Sequence, residues 1–140
     1  MKFLLKTDFK AVCDNATLQV IDQADDDNLA RSVDYAIEEV SSYLRSRYDT
    51  DAAFSATGEE RNAQLVMITA DVALYHLVSW LPKRTGFEIR ELRYNRAVEW
   101  LKDVQAGKSS PALPVPHDDQ GNAVNKPIRF GGMEKSKYDY

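Results

Sequence analysis

One segment in the middle of the chain constrains the fold more than any other. Residues 65–81 are mostly apolar, and Asp71 and His76, which are five residues apart, point to different faces of a helix. A helix that is apolar on most sides must be buried on most sides, so this segment predicts a central helix. Thr57 and Glu60 have the spacing of a capping box, and Pro82 cannot continue a helix. We therefore expect the central helix to span about residues 59–81.

The preceding segment has a one-sided apolar pattern, which predicts an amphipathic helix from about Asn28 to Arg47. The acidic run Asp25–Asp27 favours a helix start there, because negative charge complements the helix dipole. The run lacks the alternating ligands and the glycine of a calcium loop, so capping is favoured over metal binding. The apolar positions are Leu29, Val33, Ala36, Ile37, Val40 and Leu44.

A third long helix is predicted from about Phe87 to Ala106. Thr85 and Glu88 form a second capping box, and Gly107 is typical of a helix end. One face of this helix should be buried, with a single arginine among apolar residues. Its members are Ile89, Leu92, Arg96, Ala97, Trp100, Leu101 and Val104.

A short N-terminal helix completes the predicted fold. Thr7 is a suitable cap for a helix from Asp8 to Val12, and Asp8 suits its first turn. The fold class is therefore all-α, a small helical bundle of three long helices plus this short helix. We assign the bundle to residues 1–107.

The chain changes character after Gly107. Four of the five prolines follow it, so an extended C-terminal arm is predicted over residues 108–140. The turn-forming stretch 118–122 is compatible with a loose β-hairpin between residues 113–115 and 128–130. Aromatic and basic side chains suit this arm to docking on another protein. The candidate partner-binding residues are Val115, Ile128, Arg129, Phe130, Lys135, Lys137, Tyr138 and Tyr140.

Charge and length argue against several classes of partner. The 140 residues carry a net charge of -4, which gives no basic footprint for nucleic acid or anionic membrane. Their apolar fraction of 44% suits one domain with a modest core. No run approaches the roughly 18 apolar residues of a membrane span, and Met1–Leu5 is too short for the apolar region of a signal peptide. We expect a protein assembled inside a cell, with no membrane partner.

No residue pattern indicates catalysis, so we expect no enzyme activity, no cofactor and no metal. Gly131 and Gly132 lack the Lys and Ser of a phosphate-binding loop, and no Cys or His pair has zinc spacing. A spatial pair of Cys13 with a histidine is the one enzyme hypothesis left open. His76 is interpreted as a satisfied core or interface histidine. Asp71 is expected to face an arginine of a neighbouring helix, since a buried carboxylate needs a partner.

A cluster of arginines supports an alternative function, a helical DNA-binding or regulatory domain. Three glutamates interleave with the arginines, and mixed charge on a helix usually indicates solvation or protein contacts. No short turn joins two helices in a helix-turn-helix arrangement. The arginines are Arg84, Arg90, Arg93 and Arg96, and the glutamates are Glu88, Glu91 and Glu99.

Several stretches of the chain, taken together, resemble one family of phage proteins. They are Ile37–Tyr48, Asp71–Leu77 and Arg93–Gly107, followed in the arm by Ile128–Gly131. In order and spacing they resemble the phage head–tail connector proteins of the Mu Gp36-like group. The resemblance extends over about residues 1–107 and part of the arm.

The resemblance implies a structural virion protein without catalytic residues. Members of the family form a ring, usually of twelve copies, beneath the portal. The ring extends the DNA channel and receives the next tail component. The implied partners are the portal protein, neighbouring copies of the chain and a tail or stopper protein, with DNA only as passing cargo. The implied location is the head–tail interface of a virion assembled in the host cytoplasm. The arm is implied to reach toward the portal, although residues 131–134 depart from the family pattern.

Overall fold

Helices make up the regular structure of the residues that the structure describes. A computed structural model describes residues 3–14, 18–19, 21, 26–79 and 87–117. A 3-10 helix, Lys6–Ala11, precedes α1 (Asp26–Leu44), α2 (Thr50–Ser55), a 3-10 turn (Gly58–Glu60), α3 (Ala63–Ser79) and α4 (Phe87–Gln105). Within these ranges there is no strand, so the prediction of an all-α fold is confirmed.

Helix α3 is the centre of the bundle, as the dense apolar run predicts. It contacts α1, α4 and the N-terminal 3-10 helix. Leu74 and Leu77 are buried against Leu101 and the rest of the core, while Trp100 is only partly buried. The described helix ends at Ser79, and the predicted stop at Pro82 lies outside the described residues. Its buried residues are Leu65, Ile68, Thr69, Ala70, Asp71, Val72, Ala73, Leu74, Leu77 and Val78.

Helix α1 packs its predicted apolar stripe against α3. Five of the six predicted positions are buried, and Ile37 is partly buried against the same core. The helix is shifted toward the N-terminus relative to the prediction, beginning at Asp26 and ending at Leu44. The predicted capping by the acidic run depends on Asp25 and the Asp26 side chain, which lie outside the described residues.

The connection between α1 and α3 contains a short helix, which the sequence analysis does not predict. Helix α2 begins after Asp49, whose Oδ1 accepts a hydrogen bond from the Ala52 N–H at 3.1 Å. Thr50 and Ala53 are buried on its inner face. A helix of six residues has too few turns to show an apolar period, so the periodicity of the sequence does not predict it.

The start of α3 differs from the predicted capping box. Thr57 occupies the N-cap position of the 3-10 turn rather than of α3, and its side chain makes no capping hydrogen bond. Arg61 then adopts an extended backbone conformation, which separates the turn from the helix. Asn62 is the true cap of α3, because its Oδ1 accepts the Leu65 N–H at 2.9 Å.

The N-terminal helix is present, but Thr7 is not its cap. The 3-10 helix begins after Leu5, and the Asp8 carboxylate accepts the Leu5 N–H at 2.7 Å. Arg61 donates two hydrogen bonds to the same carboxylate and a third to the backbone oxygen of Phe3. Burial raises the pKa of Asp8, but the hydrogen bonds from Arg61 and Leu5 outweigh it and lower the pKa overall. This ion pair fixes the N-terminal segment, with its buried Phe3 and Phe9, onto the chain entering α3.

The end of α4 confirms the predicted glycine stop. Gly107 has a φ of 85°, a conformation that favours glycine. Its N–H donates to the Val104 oxygen, and the Lys108 N–H donates to the Asp103 oxygen, which completes a Schellman motif. A Cβ at residue 107 would lie 2.7 Å from Nη2 of Arg47, so the Arg47 side chain would have to move to admit a larger residue here.

An extended arm is predicted from residue 108, but the chain stays in contact with the bundle for several residues after Gly107. Asn62 Nδ2 donates to the Ala112 oxygen at 3.1 Å, and the Asp49 N–H donates to the Pro114 oxygen at 2.8 Å. Leu113 packs against the core. Of the predicted hairpin, residues 113–115 form no strand, and residues 118–122 and 128–130 lie outside the described residues.

Candidate functional site

A groove on the outer surface between α3 and α4 is the candidate functional site. Its volume is about 270 Å³. It mixes apolar and charged side chains, as a protein-docking surface does. It is lined by Gln64, Met67, Ile68 and Asp71 of α3 and by Arg93, Arg96, Ala97 and Trp100 of α4.

An ion pair forms the floor of the groove. Arg93 Nε donates to Asp71 Oδ1 at 2.7 Å, and the Asp71 side chain is almost fully buried. Burial raises the pKa of Asp71, while the hydrogen bond and charge of Arg93 and the charge of Arg90 act in the opposite direction. The predicted pairing of Asp71 with an arginine of a neighbouring helix is therefore confirmed, and it joins α3 to α4.

Arg90 is a buried residue that the sequence had not placed in the core. It occupies an inward position on α4, and its Nη1 has no hydrogen-bond partner among the described residues. Its charge acts on both Asp71 and Cys13, so the buried carboxylate compensates part of the cost of burying this cation.

Because Arg90 faces inward, the buried face of α4 is rotated from the predicted one. Ala97, Leu101 and Val104 are buried as expected, but Ile89 is 55% exposed and Leu92 is 48% exposed. Ile89, Arg93, Arg96 and Trp100 are spaced by four, three and four residues, so they form one line along α4 beside the groove. Met67 of α3 is 40% exposed on the opposite wall. The exposed apolar surface therefore extends beyond the groove itself.

A second polar cluster lies on the other side of the α3–α4 pair, where α1 covers it. His76 Nε2 lies 2.8 Å from Glu39 Oε1, and the Tyr94 hydroxyl donates to Glu39 Oε2 at 2.5 Å. The hydrogen bond from His76 lowers the pKa of Glu39, and burial together with Glu39 raises the pKa of Tyr94. Tyr75 stacks on Tyr94 with ring centroids 4.1 Å apart. His76 is thus a satisfied interface histidine, as predicted, and the cluster joins all three long helices.

The features of Cys13 oppose a role as a catalytic nucleophile. Its thiol donates to the Phe9 backbone oxygen at 2.8 Å. Burial raises the pKa of the thiol, whereas a nucleophilic cysteine requires a lowered one. In the part of the chain that the structure describes, no group of three His, Cys, Asp or Glu side chains has metal-binding geometry.

The arginine cluster offers little exposed positive charge for the alternative function, DNA binding. Arg90 is buried and Arg93 is paired with Asp71, so of the described arginines in this cluster only Arg96 is exposed. Arg84 lies outside the described residues. A stripe of free cations, which nucleic-acid binding requires, is therefore not formed by the described arginines of α4.

The predicted partner-binding residues of the arm fall mostly beyond the described residues. Val115 is 39% exposed and lies just after the bundle-bound Pro114. The other predicted residues, Ile128, Arg129, Phe130, Lys135, Lys137, Tyr138 and Tyr140, lie outside the described residues. The groove is not evident from the sequence, because the rotation of α4 about its axis determines which of its apolar residues are exposed.

Comparison with known proteins gives one family and no individual relative. No curated protein and no solved structure matches the chain. Among the described helices, none is long and apolar enough to cross a membrane. The family model described as "Bacteriophage Mu, Gp36" matches residues 3–128, which include the whole bundle and the start of the arm. The chain therefore belongs to the bacteriophage Mu Gp36 family and is a phage protein.

Proposed function

We propose that this chain is a structural virion protein, the head–tail connector that forms a ring beneath the portal. The observation that carries the proposal is the family match over residues 3–128, which spans the three stretches of the bundle that resemble connector proteins. In this role the ring extends the DNA channel and receives the tail or stopper protein. The copies assemble at the head–tail interface, and the chain acts as an adaptor rather than an enzyme.

The charges and contacts of the bundle support an adaptor role. The ion pairs Asp71–Arg93 and Asp8–Arg61 are internal and join structural elements, as expected of side chains that stabilise a fold. The net charge of -4 suits a channel wall past which DNA must slide without being gripped. The exposed apolar residues around the groove offer a surface for lateral contacts between copies.

The arm is proposed to dock on the portal. The candidate contacts are Val115 and the distal residues Ile128, Arg129, Phe130, Lys135, Lys137, Tyr138 and Tyr140. Aromatic side chains of such a segment would fill pockets, and its basic side chains would meet acidic groups. The described start of the arm is already held on the bundle at Ala112 and Pro114, so docking begins beyond these residues.

Genetic removal of the chain from the phage tests the proposal directly. Without a connector, infected cells should accumulate DNA-packaged heads and free tails, and electron microscopy should count few joined particles. Adding the purified full chain to those extracts should restore joining. In solution without heads, the chain should be a monomer or a weak oligomer by native mass spectrometry. On portal-containing heads it should form a ring. Normal yields of tailed particles in its absence would refute the connector role.

The DNA-binding alternative predicts a different result from a separate measurement. A DNA-binding domain should shift duplex DNA in a mobility assay at low salt, and the Arg96→Ala variant should weaken that shift. The connector should give no salt-sensitive shift, because among the described arginines of α4 only Arg96 is exposed.

A further inference from the structure

We propose that the groove between α3 and α4 receives the exposed face of α1 from a second copy of the chain. This inference rests on the proposed ring and names the two surfaces that would form it. It starts from an unpartnered apolar surface: Met67, Ile89 and Leu92 are 40%, 55% and 48% exposed around a groove that also contains Trp100. Large exposed apolar residues grouped in this way mark protein contacts.

The two surfaces lie on opposite sides of the bundle. Helix α1 covers the side of the α3–α4 pair where Glu39 meets His76 and Tyr94. Asp71 is five residues from His76 on α3, so it points to another side of that helix, where the groove opens. The exposed face of α1 points away from the α3–α4 pair, because its buried stripe faces the core. A copy seated in the groove by its α1 therefore leaves its own groove open to the next copy.

The exposed face of α1 has the shape and chemistry that the groove accepts. Its residues Asp27, Arg31, Asp34, Tyr35 and Glu38 recur at helical spacing and are all exposed. Tyr35 lies at the edge of this face, where its ring contacts His76 of α3, and its 49% exposed side chain supplies an aromatic contact for the apolar wall. A single helix laid against the groove between two others is a standard packing arrangement.

Charge complementarity favours a second copy over self-pairing of the groove. The groove presents the guanidinium groups of Arg93 and Arg96, and its one carboxylate, Asp71, is already paired with Arg93. Asp34 and Glu38 on α1 would face Arg96 of the next copy. The Glu38–Arg45 bridge, at 3.1 Å, is exposed on both sides and contributes little, so Glu38 can change partner at small cost. Two grooves face to face would instead bring two Arg96 side chains together.

Such a contact is heterologous, since it joins two different surfaces. Repetition of one heterologous contact closes into a ring when its rotation allows and otherwise gives a filament. An isologous contact, by contrast, stops at a dimer. The number of copies in the crosslinked species therefore distinguishes the proposed contact from groove-to-groove pairing, which would stop at a dimer.

Cysteine crosslinking of the full chain tests the contact. On a Cys13→Ala background, Asp34→Cys on α1 and Leu92→Cys beside the groove are combined, and the chain is treated with a bis-maleimide both concentrated in solution and bound to portal-containing heads. The double variant should give a ladder of dimers, trimers and higher species. Each single variant should remain uncrosslinked, and Asp34→Cys with Lys102→Cys is the matched control, because Lys102 is exposed on α4 away from the groove. Dimers from Leu92→Cys alone would overturn the proposal in favour of groove-to-groove pairing, and so would the absence of a ladder in the double variant.

A charge exchange provides the second test. Arg96→Glu should reduce the ladder about fivefold or more, since it replaces an attraction with a repulsion. Adding Glu38→Arg should restore the ladder, whereas a general folding defect would not be rescued. Failure of rescue with retained helical circular dichroism would contradict the assigned pairing.

The outcomes separate this inference from the proposed function. If the chain forms a ring on portal-containing heads but gives no ladder, the connector role stands and the assigned surfaces are wrong. If the ladder forms but heads never bind the chain, the copy-to-copy contact stands and the connector role is wrong.

Discussion

At the scale of single residues, Asp71 is held in the interior by an arginine of the next helix. Its carboxylate is nearly fully buried, and Arg93 approaches to 2.7 Å from the more exposed side. Removing one partner of such a pair leaves an uncompensated charge in a medium of low polarity. The ion pair therefore affects stability mainly because loss of Arg93 would leave the Asp71 carboxylate buried without its hydrogen-bond partner.

Arg93→Met should destabilise the fold by about 2 to 4 kcal/mol, because it keeps much of the side-chain volume but removes the hydrogen-bond partner of the buried Asp71 carboxylate and leaves it only the charge of Arg90. Arg96→Met is the matched control, since Arg96 lines the same groove but is exposed. That variant should change stability by no more than about 0.5 kcal/mol. Urea unfolding followed by circular dichroism measures both, and equal effects in the two variants would contradict the assigned role of the ion pair.

Glu39 gives the molecule a predictable response to acid. Its pKa lies below the ordinary value of 4.5 in the folded state, chiefly because of the hydrogen bond from His76. A carboxyl with a lowered folded pKa contributes stability above its unfolded pKa, and that contribution is lost as pH falls through the folded pKa.

The free energy of unfolding should therefore fall more steeply below about pH 5 in the native chain than in a Glu39→Gln variant. Glutamine retains an oxygen acceptor but does not titrate, so it removes the dependence on this group alone. Asp8 and Asp71 titrate in both proteins and cancel in the difference. Urea midpoints measured between about pH 3 and pH 7 provide the test. Parallel curves for the two proteins would show that Glu39 is not the coupled group.

At the scale of whole elements, the start of α3 is set by a polar side chain rather than by the apolar pattern. Thr57 and Glu60 have capping-box spacing, but Asn62 caps the helix. The same asparagine also donates to the Ala112 oxygen, so it connects the start of α3 to the chain following α4. One side chain thus serves both a helix end and a long-range contact.

Asn62→Ala should cost about 1 to 2 kcal/mol, because it removes both the cap and the bond to Ala112. Asn62→Asp retains the capping oxygen and loses only the Nδ2 donor, so it should cost clearly less. Thr57→Ala should be nearly neutral, since the Thr57 side chain makes no capping bond. Thermal and urea unfolding of the three variants establish the order. A larger loss from Thr57→Ala than from Asn62→Ala would restore the capping box as the start of the helix.

At the scale of the whole molecule, the boundary between bundle and arm decides which truncations are informative. Leu113 packs on the core, and Ala112 and Pro114 accept hydrogen bonds from the bundle. A cut after Gly107 would therefore remove part of the folded structure together with the arm. A cut after His117 removes only the residues beyond the described structure.

The chain ending at His117 should keep its helical circular dichroism and stability but fail to attach to portal-containing heads. The chain ending at Gly107 should be less stable by about 1 to 3 kcal/mol, because it also loses the packing of Leu113 and the bonds at Ala112 and Pro114. Cosedimentation with heads measures attachment, with the full chain as control. Normal attachment of the chain ending at His117 would place the docking surface on the bundle.

Much of the bundle follows from local sequence alone. A helix apolar on nearly all sides must be central, a one-sided stripe must face it, and Gly107 ends α4 by its left-handed conformation. The pairing of Asp71 with an arginine also follows from sequence, because an unpaired buried carboxylate is too costly. These features depend on short-range periodicity and on the energetics of single groups, which a sequence displays directly.

The candidate site was decided by tertiary structure. In α4, apolar and charged residues alternate so closely that the sequence pattern does not decide which of two adjacent faces is buried. Arg90 could turn inward because Asp71 of α3 lies close enough for the two charges to interact, and Ile89 and Leu92 turned outward as a consequence. That choice depends on a charge on another helix, which no periodicity within α4 contains. The sequence by itself therefore determined which segments are helices and which helix is central, and only the packing of charges between helices determined which surface of α4 stays exposed.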